Sequence, residues 1–434
     1  MSMTKLEKMK DNRCQCGKVH THSIDDIIVG SGAIESIAET VNKYGRKAFV
    51  LCDKNTYSAA AKRVCEILSN SNIAFTSYIL DGEKIEPDEV CVGAAVMHYD
   101  TSCDVIVAVG SGVINDIGKL LASTADKPYI IVATAPSMDG YASATSSMTR
   151  DGLKISLSTK CADVIIGDTN ILAAAPMQML VSGLGDMIAK YVSICEWRIS
   201  HLITGEYYCE QIADLVRSAL KKCTDRAKGL IERDPKAVEA VFEGLIIGGV
   251  AMTYAGLSRP ASGIEHYISH IWDMRGVEFG TPTSTHGIQC AIGTLIALHY
   301  YERLKTLRPN AELALAHAQN FDLSKWHSEL RTFLGKGAES MIKLDKTEQK
   351  YDIESHNKRL KTIIENWDNI LTIINEELPS SDDFESLLDT IGSPKTPESI
   401  GLDSAIVPMT LAAAKDIRDK YVLPRLLWDI GEEI

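Results

Sequence analysis

Asp104-Val-Ile-Val-Ala-Val-Gly110-Ser111-Gly112-Val113-Ile114-Asn115-Asp116-Ile-Gly118-Lys119 is the stretch on which the fold of this chain turns. Asp104–Val109 is a β-branched apolar run without alternation, the pattern of a strand covered on both faces. It runs into Gly-Ser-Gly, and Val113–Ser123 then has helical periodicity. Gly110 and Gly112 carry no Cβ, so the backbone there can approach a ligand closely. The helix that follows offers unpaired N–H groups and a positive dipole end, which suit a pyrophosphate. The same turn also occurs without a ligand. It is not the standard dinucleotide fingerprint, because no acidic residue ends the next strand at the required spacing. An acidic residue does end an earlier strand: Asp53, after KAFVLC. If that strand lies beside the glycine turn, Asp53 can hold a ribose; otherwise it is an ordinary turn aspartate.

Outward from this stretch, short apolar runs alternate with amphipathic ones. Asp26–Val29, Lys47–Cys52, Ala74–Leu80, Tyr129–Ala133 and Val164–Gly167 read as strands, and Thr56–Ser69 and Glu86–Tyr99 as helices. Strands alternating with helices imply a parallel sheet with crossover helices. A second loop, Thr134-Ala135-Pro136-Ser137-Met-Asp139-Gly140-Tyr141-Ala-Ser143, follows its strand at the edge where open α/β sheets bind ligands. SATSSMT and LKISL flank Arg150-Asp151-Gly152 as a hairpin. After Pro176 the strand signals stop. Met177–Ile199, Gly205–Lys228, Pro235–Tyr254, Gly287–Leu304 and Met409–Tyr421 are helical, and Lys343–Asn366 reads as a solvated helical face. Ser380–Ser399, with its Pro and Ser clusters, reads as a loop. The expected division is an α/β dinucleotide-binding domain over 1–176 and an all-helical domain over 177–434.

The net charge of −13 in 434 residues argues against binding nucleic acid or an anionic membrane by bulk electrostatics. No stretch reads as apolar for long enough to span a bilayer. The N-terminus has basic residues with no apolar core after them, unlike a secretory signal. Eleven cysteines, an odd number, are mostly scattered and several lie in apolar runs, which fits reduced thiols in a cytoplasm. Cys14-x-Cys16-Gly17-Lys-Val-His20-x-His22 has ligand spacing but lacks a second cysteine pair, and the expectation is an exposed hairpin.

Three segments of the helical half could build one metal site. They are Gly185-Asp186, Glu265-His266-Tyr-Ile-Ser-His270, and Thr285-His286-Gly287. His266 and His270 are four apart and share a helix face. One Asp and two His suit zinc, nickel, iron or manganese and leave positions open for a substrate. The plainer alternatives are a helix-capping aspartate and core histidines.

GSGVINDIGK (110–119), TAPSMDGYAS (134–143), GLGDMIAKY (183–191), RPASGIEHYISHIWDM (259–274) and THGIQCAIGT (285–294) together resemble the sn-glycerol-1-phosphate dehydrogenases. These belong to the iron-containing alcohol dehydrogenase, glycerol dehydrogenase and dehydroquinate synthase superfamily. The N-terminal CQCGKVH and the long C-terminal extension look like the bacterial members. The loop before His286, containing GVEFGTPTST, is longer than in archaeal ones.

The resemblance implies an N-terminal Rossmann-like α/β domain, a helical C-terminal domain and an active site in the cleft between them. It implies that Gly110, Ser111, Gly112, Val113 and Ile114 hold the pyrophosphate of NAD(P). It places Thr134, Ala135, Pro136, Ser137 and Ser143 against the same cofactor, and Asp139 toward the substrate. Asp186, His266 and His286 would bind one divalent metal, zinc or nickel, with His270 on the substrate and its proton. The implied reaction is reversible reduction of dihydroxyacetone phosphate to sn-glycerol 1-phosphate. A polyol dehydrogenase and a dehydroquinate-synthase-like lyase are the alternatives. The expected partners are the small-molecule substrate and a second copy in a homodimer, with no nucleic acid. Lys119, Arg150, Lys154, Lys190 and Arg259 are all available for a substrate phosphate, and the sequence does not choose among them.

Overall fold

The computed structural model describes residues 14–82, 85–151 and 153–432. The reading of the extreme N-terminus, up to residue 13, and of Gly152 in the hairpin turn lies outside the described residues. The described chain forms two compact units. One runs to Met187 and takes in Asp214–Leu257; the other holds Ile188–Ala213 and continues from Ser258.

The first unit is built on a six-stranded parallel sheet. Its strands are β1 (Asp26–Gly30), β2 (Lys47–Asp53), β3 (Ala74–Leu80), β4 (Val105–Gly110), β5 (Tyr129–Ala133) and β8 (Val164–Asp168), in the order β1-β8-β5-β4-β2-β3. A two-stranded antiparallel ribbon, β6 (Thr145–Arg150) and β7 (Leu153–Ser158), stands apart, with Arg150 opposite Leu153. Asp151 in that turn takes φ +52°, as a tight hairpin of this handedness requires. No strand follows Asp168 among the described residues.

The central strands β4, β5 and β8 are buried at every position, while the edge strands β1 and β3 are only partly so. This is why the deciding stretch shows no alternation: both faces of the sheet are covered. One face presents Val50, Val107, Val109, Ile130, Val132 and Ile166. The helices α1 (Ile37–Tyr44) and α2 (Lys62–Asn70) pack against it through Ile37, Val41, Val64 and Leu68. On the other face lies the helix α4 (Gly112–Ala125), after α3 (Glu89–His98). A Cβ on Gly118 would fall 2.9 Å from that of Ala108 and 2.7 Å from the Tyr129 hydroxyl, so glycine there lets α4 sit directly on the sheet.

The chain passes from β2 outward to β3, then returns to β4 beside β2 and proceeds the other way through β5 and β8. The direction therefore reverses between β2 and β4. A crevice opens at such a point, beyond the carboxyl ends of the strands.

Helices follow. They include α5 (Met177–Ile188), α6 (Lys190–Thr204), α7 (Pro235–Ala255), α8 (Ile264–Phe279) and α9 (His286–Lys305). α7 starts with Asp234 capping the Lys236 N–H and Pro235 in the first turn, and stops at Gly256, φ +71°. It corrects the expectation that no segment is long and apolar enough to cross a membrane. By length and composition α7 is, but 78% of its apolar window is buried inside the protein, as in a core helix.

Two more expectations are corrected, for Ser380–Ser399 and for the N-terminal cysteine segment. Ser380–Ser399 is not all loop: Ser380 caps a helix, Ser381–Thr390, which buries Phe384 and Leu388 one turn apart. The Pro-Ser pair that reads as loop is its start signal. Of the stretch before His286, Gly-Val-Glu-Phe belongs to α8, which runs to Phe279, and Gly280–Thr285 lie between the helices. The N-terminal cysteine segment is not an exposed hairpin, since Cys14 is 6% and His20 1% exposed.

Candidate active site

The glycine turn sits at the carboxyl end of β4, at the reversal point. Leu51 of β2 is paired with Ala108 of β4, so Asp53 and Gly110 end neighbouring strands at the same level. Asp53 also caps the next turn, its Oδ1 accepting the Thr56 N–H at 2.8 Å. The two glycines differ in origin. A Cβ on Gly110 would lie 2.4 Å from that of Ile114, so packing alone demands glycine there. A Cβ on Gly112 would meet only the flexible Met138 side chain, at 3.5 Å. The packing around Gly112 does not require glycine there.

The second loop is fastened to the first. The Ser111 and Ser137 hydroxyls hydrogen-bond each other, and the Tyr141 hydroxyl donates to Ala135 O at 2.6 Å. Thr134 N–H donates to Gly110 O at 3.1 Å, and the Asn115 amide to Gly140 O at 3.1 Å. Lys119 is fully buried; its ammonium donates to Gly140 O (3.1 Å) and Ser143 Oγ (3.3 Å) and pairs with Asp116 (3.2 Å). Thus Gly110, Ser111, Gly112, Val113 and Ile114 and the residues Thr134, Ala135, Pro136, Ser137 and Ser143 come together at one sheet edge. Lys119 is the strut between them rather than a phosphate ligand.

α5 closes on this loop so tightly that a Cβ on Gly183 would land 1.7 Å from Pro136 O. It carries Asp186, whose side chain is fully buried and whose Oδ2 accepts the Asp139 N–H at 2.9 Å.

In the second unit, His266 and His270 lie one turn apart on α8, and His286 opens α9. The two helices touch at Gly293, where a Cβ would fall 2.8 Å from Glu265 O. The His266 and His286 ring centroids are 5.0 Å apart, and the His270 ring stacks on His286 at 6.0 Å. The His266 Nδ1–H donates to Glu265 Oε1 at 2.8 Å, which fixes the tautomer of the ring. Ser269 Oγ is 3.3 Å from His286 Nδ1. Donor atoms of His266, His286 and Cys290 lie within 4.8 Å of one another. Burial raises the Cys290 thiol, but His266 and His286 draw it below its ordinary pKa on balance.

Two carboxylates stand behind His266. Glu196 accepts the Ile264 N–H (2.9 Å) and the Leu423 N–H (2.7 Å). Burial, then the neighbouring charge of Glu265, push Glu196 well above the usual carboxylate range.

The sequence profile of the family described as iron-containing alcohol dehydrogenase matches residues 28–176. A protein of Halalkalibacterium halodurans named glycerol-1-phosphate dehydrogenase [NAD(P)+] is 27% identical over 97% of this chain and 96% of its own. One of that name from Bacillus velezensis is 33% identical over 68% of this chain and 77% of its own. The chain belongs to the glycerol-1-phosphate dehydrogenase family. Among solved structures, an iron-containing alcohol dehydrogenase of Corynebacterium glutamicum shares the fold, with TM-score 0.58, 14% identity and 95% of each chain covered.

Of the basic residues that a glycerol-1-phosphate dehydrogenase could turn toward a phosphate, Arg259 is committed elsewhere. It is buried, paired with Glu206 at 2.7 Å and donating to Tyr421 O at 2.8 Å. Arg150 is exposed on the ribbon, and Lys154 is half-buried there. A further buried ammonium, that of Lys420, donates to Ser262 O (2.8 Å) just ahead of α8. Burial and the Arg259 charge lower its pKa to about 7. Glu265, which the sequence placed beside the ligand-spaced histidines, holds the His266 ring.

Proposed function

We propose that this protein reversibly reduces dihydroxyacetone phosphate to sn-glycerol 1-phosphate with NADH or NADPH, using one divalent metal ion. The end-to-end likeness to proteins of that name carries this reading. The imidazole of His266, its Nδ1–H held by Glu265 as the second nitrogen of a ligating histidine usually is, supports the metal.

The proposed ligands are Asp186, His266 and His286, a nitrogen–oxygen set that suits zinc or nickel and equally the iron of the family description. When bound, such an ion supplies Lewis-acid polarisation of a carbonyl oxygen, and a reduced nicotinamide supplies the hydride. The protein residues do the rest. The N–H groups of Gly110–Ile114 at the start of α4 cradle the pyrophosphate. Thr134–Ser137 and Ser143 border the cofactor, and Asp53 takes a ribose hydroxyl across the crevice. Asp139 faces the substrate. His270 gives a proton to the C2 oxygen as negative charge grows there, a role imidazole fills near neutral pH. The reading sets the enzyme in the cytoplasm, where eleven thiols stay reduced, and a homodimer is its expected assembly.

The test is NADH consumption by the purified protein with dihydroxyacetone phosphate, dihydroxyacetone and the substrate of dehydroquinate synthesis offered in parallel. Consumption with the phosphorylated ketone, yielding the sn-1 product, is expected. Preference for the unphosphorylated ketone makes the protein a polyol dehydrogenase instead. Turnover of the third substrate without net NADH loss makes it a lyase.

A further inference from the structure

The N-terminal segment Cys14-Gln-Cys16-Gly17-Lys18-Val19-His20, outside the residues proposed for the reaction, is folded into a tight knuckle. Gly17 takes φ +83°, open to glycine at little cost. That turn lets Gly17 N–H donate to Cys14 O (2.9 Å) and Cys14 N–H to Lys18 O (3.1 Å). The Cys16 N–H points at Cys14 Sγ, 3.5 Å away. Cys14 and His20 are buried although four of the five residues between them are exposed.

The histidine is set for coordination. Its Nδ1 lies 3.0 Å from the carbonyl of Tyr254, an acceptor only, so Nδ1 carries the proton. Nε2 is therefore the lone-pair nitrogen, and it faces Cys16 Sγ at 3.4 Å. Zinc–sulfur and zinc–nitrogen bonds at a tetrahedral angle put the two donors about 3.6 Å apart, close to that spacing. The donor atoms of Cys14, Cys16 and His20 all lie within 4.8 Å of one another. A backbone carbonyl holding the other ring nitrogen is the usual support of a ligating histidine.

We propose that Cys14, Cys16 and His20 bind a structural zinc ion, separate from the metal of the active site. Two thiolates and an imidazole select a borderline-soft ion such as zinc over magnesium, calcium or manganese. The ion pins the start of the chain to the C-terminal end of α7 through the His20–Tyr254 contact. α7 in turn supports the substrate-side loop, since a Cβ on Gly249 would fall 2.8 Å from Asp139 O. The fourth position is filled by solvent or by one further thiolate.

Elemental analysis of the full chain, with cobalt substitution, tests the proposal. It is best done in the His266→Ala background, which removes the catalytic ion. About one zinc per chain is expected to remain there. Cobalt in its place is expected to give tetrahedral visible bands and a thiolate charge-transfer band whose intensity counts at least two sulfurs. Adding Cys14→Ser and Cys16→Ser removes both the ion and the band and lowers the thermal midpoint, whereas His20→Cys keeps them. A His266→Ala protein free of zinc, or a cobalt form without the thiolate band, overturns the proposal even if the cysteine variants fail to fold. A folded double-serine variant that keeps its zinc overturns it equally, because the observed contact is then only a thiol hydrogen-bonded to an imidazole.

Discussion

At the scale of single residues, the two helical histidines separate two kinds of loss. They share a face of α8; His266 has its Nδ1 held by the buried Glu265, and His270 is half-buried against the His286 ring. His266→Ala is therefore expected to lose bound active-site metal and turnover together. His270→Ala is expected to keep the metal while kcat/KM falls by about 2–4 kcal/mol of transition-state stabilisation. Metal analysis of both variants beside their kinetics decides it, and the opposite pattern exchanges the two roles. The spacing His-x3-His could be read from the sequence; which imidazole ligates could not, because that depends on what each Nδ1 meets. Glu265 is adjacent in the chain, but it is fixed in place only where Gly263 N–H donates to the same oxygen at 2.6 Å.

At the scale of elements, the strand–turn–helix unit from β4 to α4 carries two glycines with different reasons to exist. Valine at 112 meets only the pliable Met138 side chain, so Gly112→Val is expected to fold with a stability change under about 1 kcal/mol. Its side chain stands where a pyrophosphate must approach, and the cofactor KM should rise about tenfold or more, with metal content unchanged. Alanine at 110 instead presses on Ile114 and is expected to cost about 1–3 kcal/mol of stability. Denaturant midpoints and cofactor KM for the two variants separate these outcomes, and an unchanged KM for Gly112→Val removes the turn from the cofactor site. This unit was legible in the sequence because its signals are local: a buried run, a glycine turn, a helical period. The Ser381–Thr390 helix was not, because its cap looks like a loop and its apolar pair is only two residues long.

At the scale of the whole molecule, a charged cluster lies deep in the second unit. Lys415 sits 3.4 Å above the Trp326 ring, beside Asp416, with Arg425, Lys350 and Glu329 as the neighbouring charges. Burial first, opposed by Asp416 and aided by Arg425, lowers its pKa to about 7 from 10.5. Between those values the unfolded chain binds the extra proton, so this group makes stability rise with pH across that window. Below it, the full penalty of burying the charge is present. Lys415→Met is therefore expected to gain most, relative to the parent, in mild acid and to lose that gain toward pH 10. The difference between the two ends should be about 2–4 kcal/mol in urea unfolding. A pH-independent difference between the two proteins would refute the assignment.

The sequence by itself determined the parallel sheet, the glycine turn, the helical remainder and the His-x3-His face. Each is encoded within about a dozen neighbouring residues, where hydrophobic period and backbone freedom act. The tertiary structure alone decided that β2 lies beside β4, which brings Asp53 level with Gly110. It alone made Lys119 a strut and buried Arg259, and it closed Cys14, Cys16 and His20 around one point beneath Tyr254. These depend on contacts between residues as many as 234 positions apart in the chain. Spacing carries no record of them, because strand order and the desolvation of a side chain are set by whatever else packs against it.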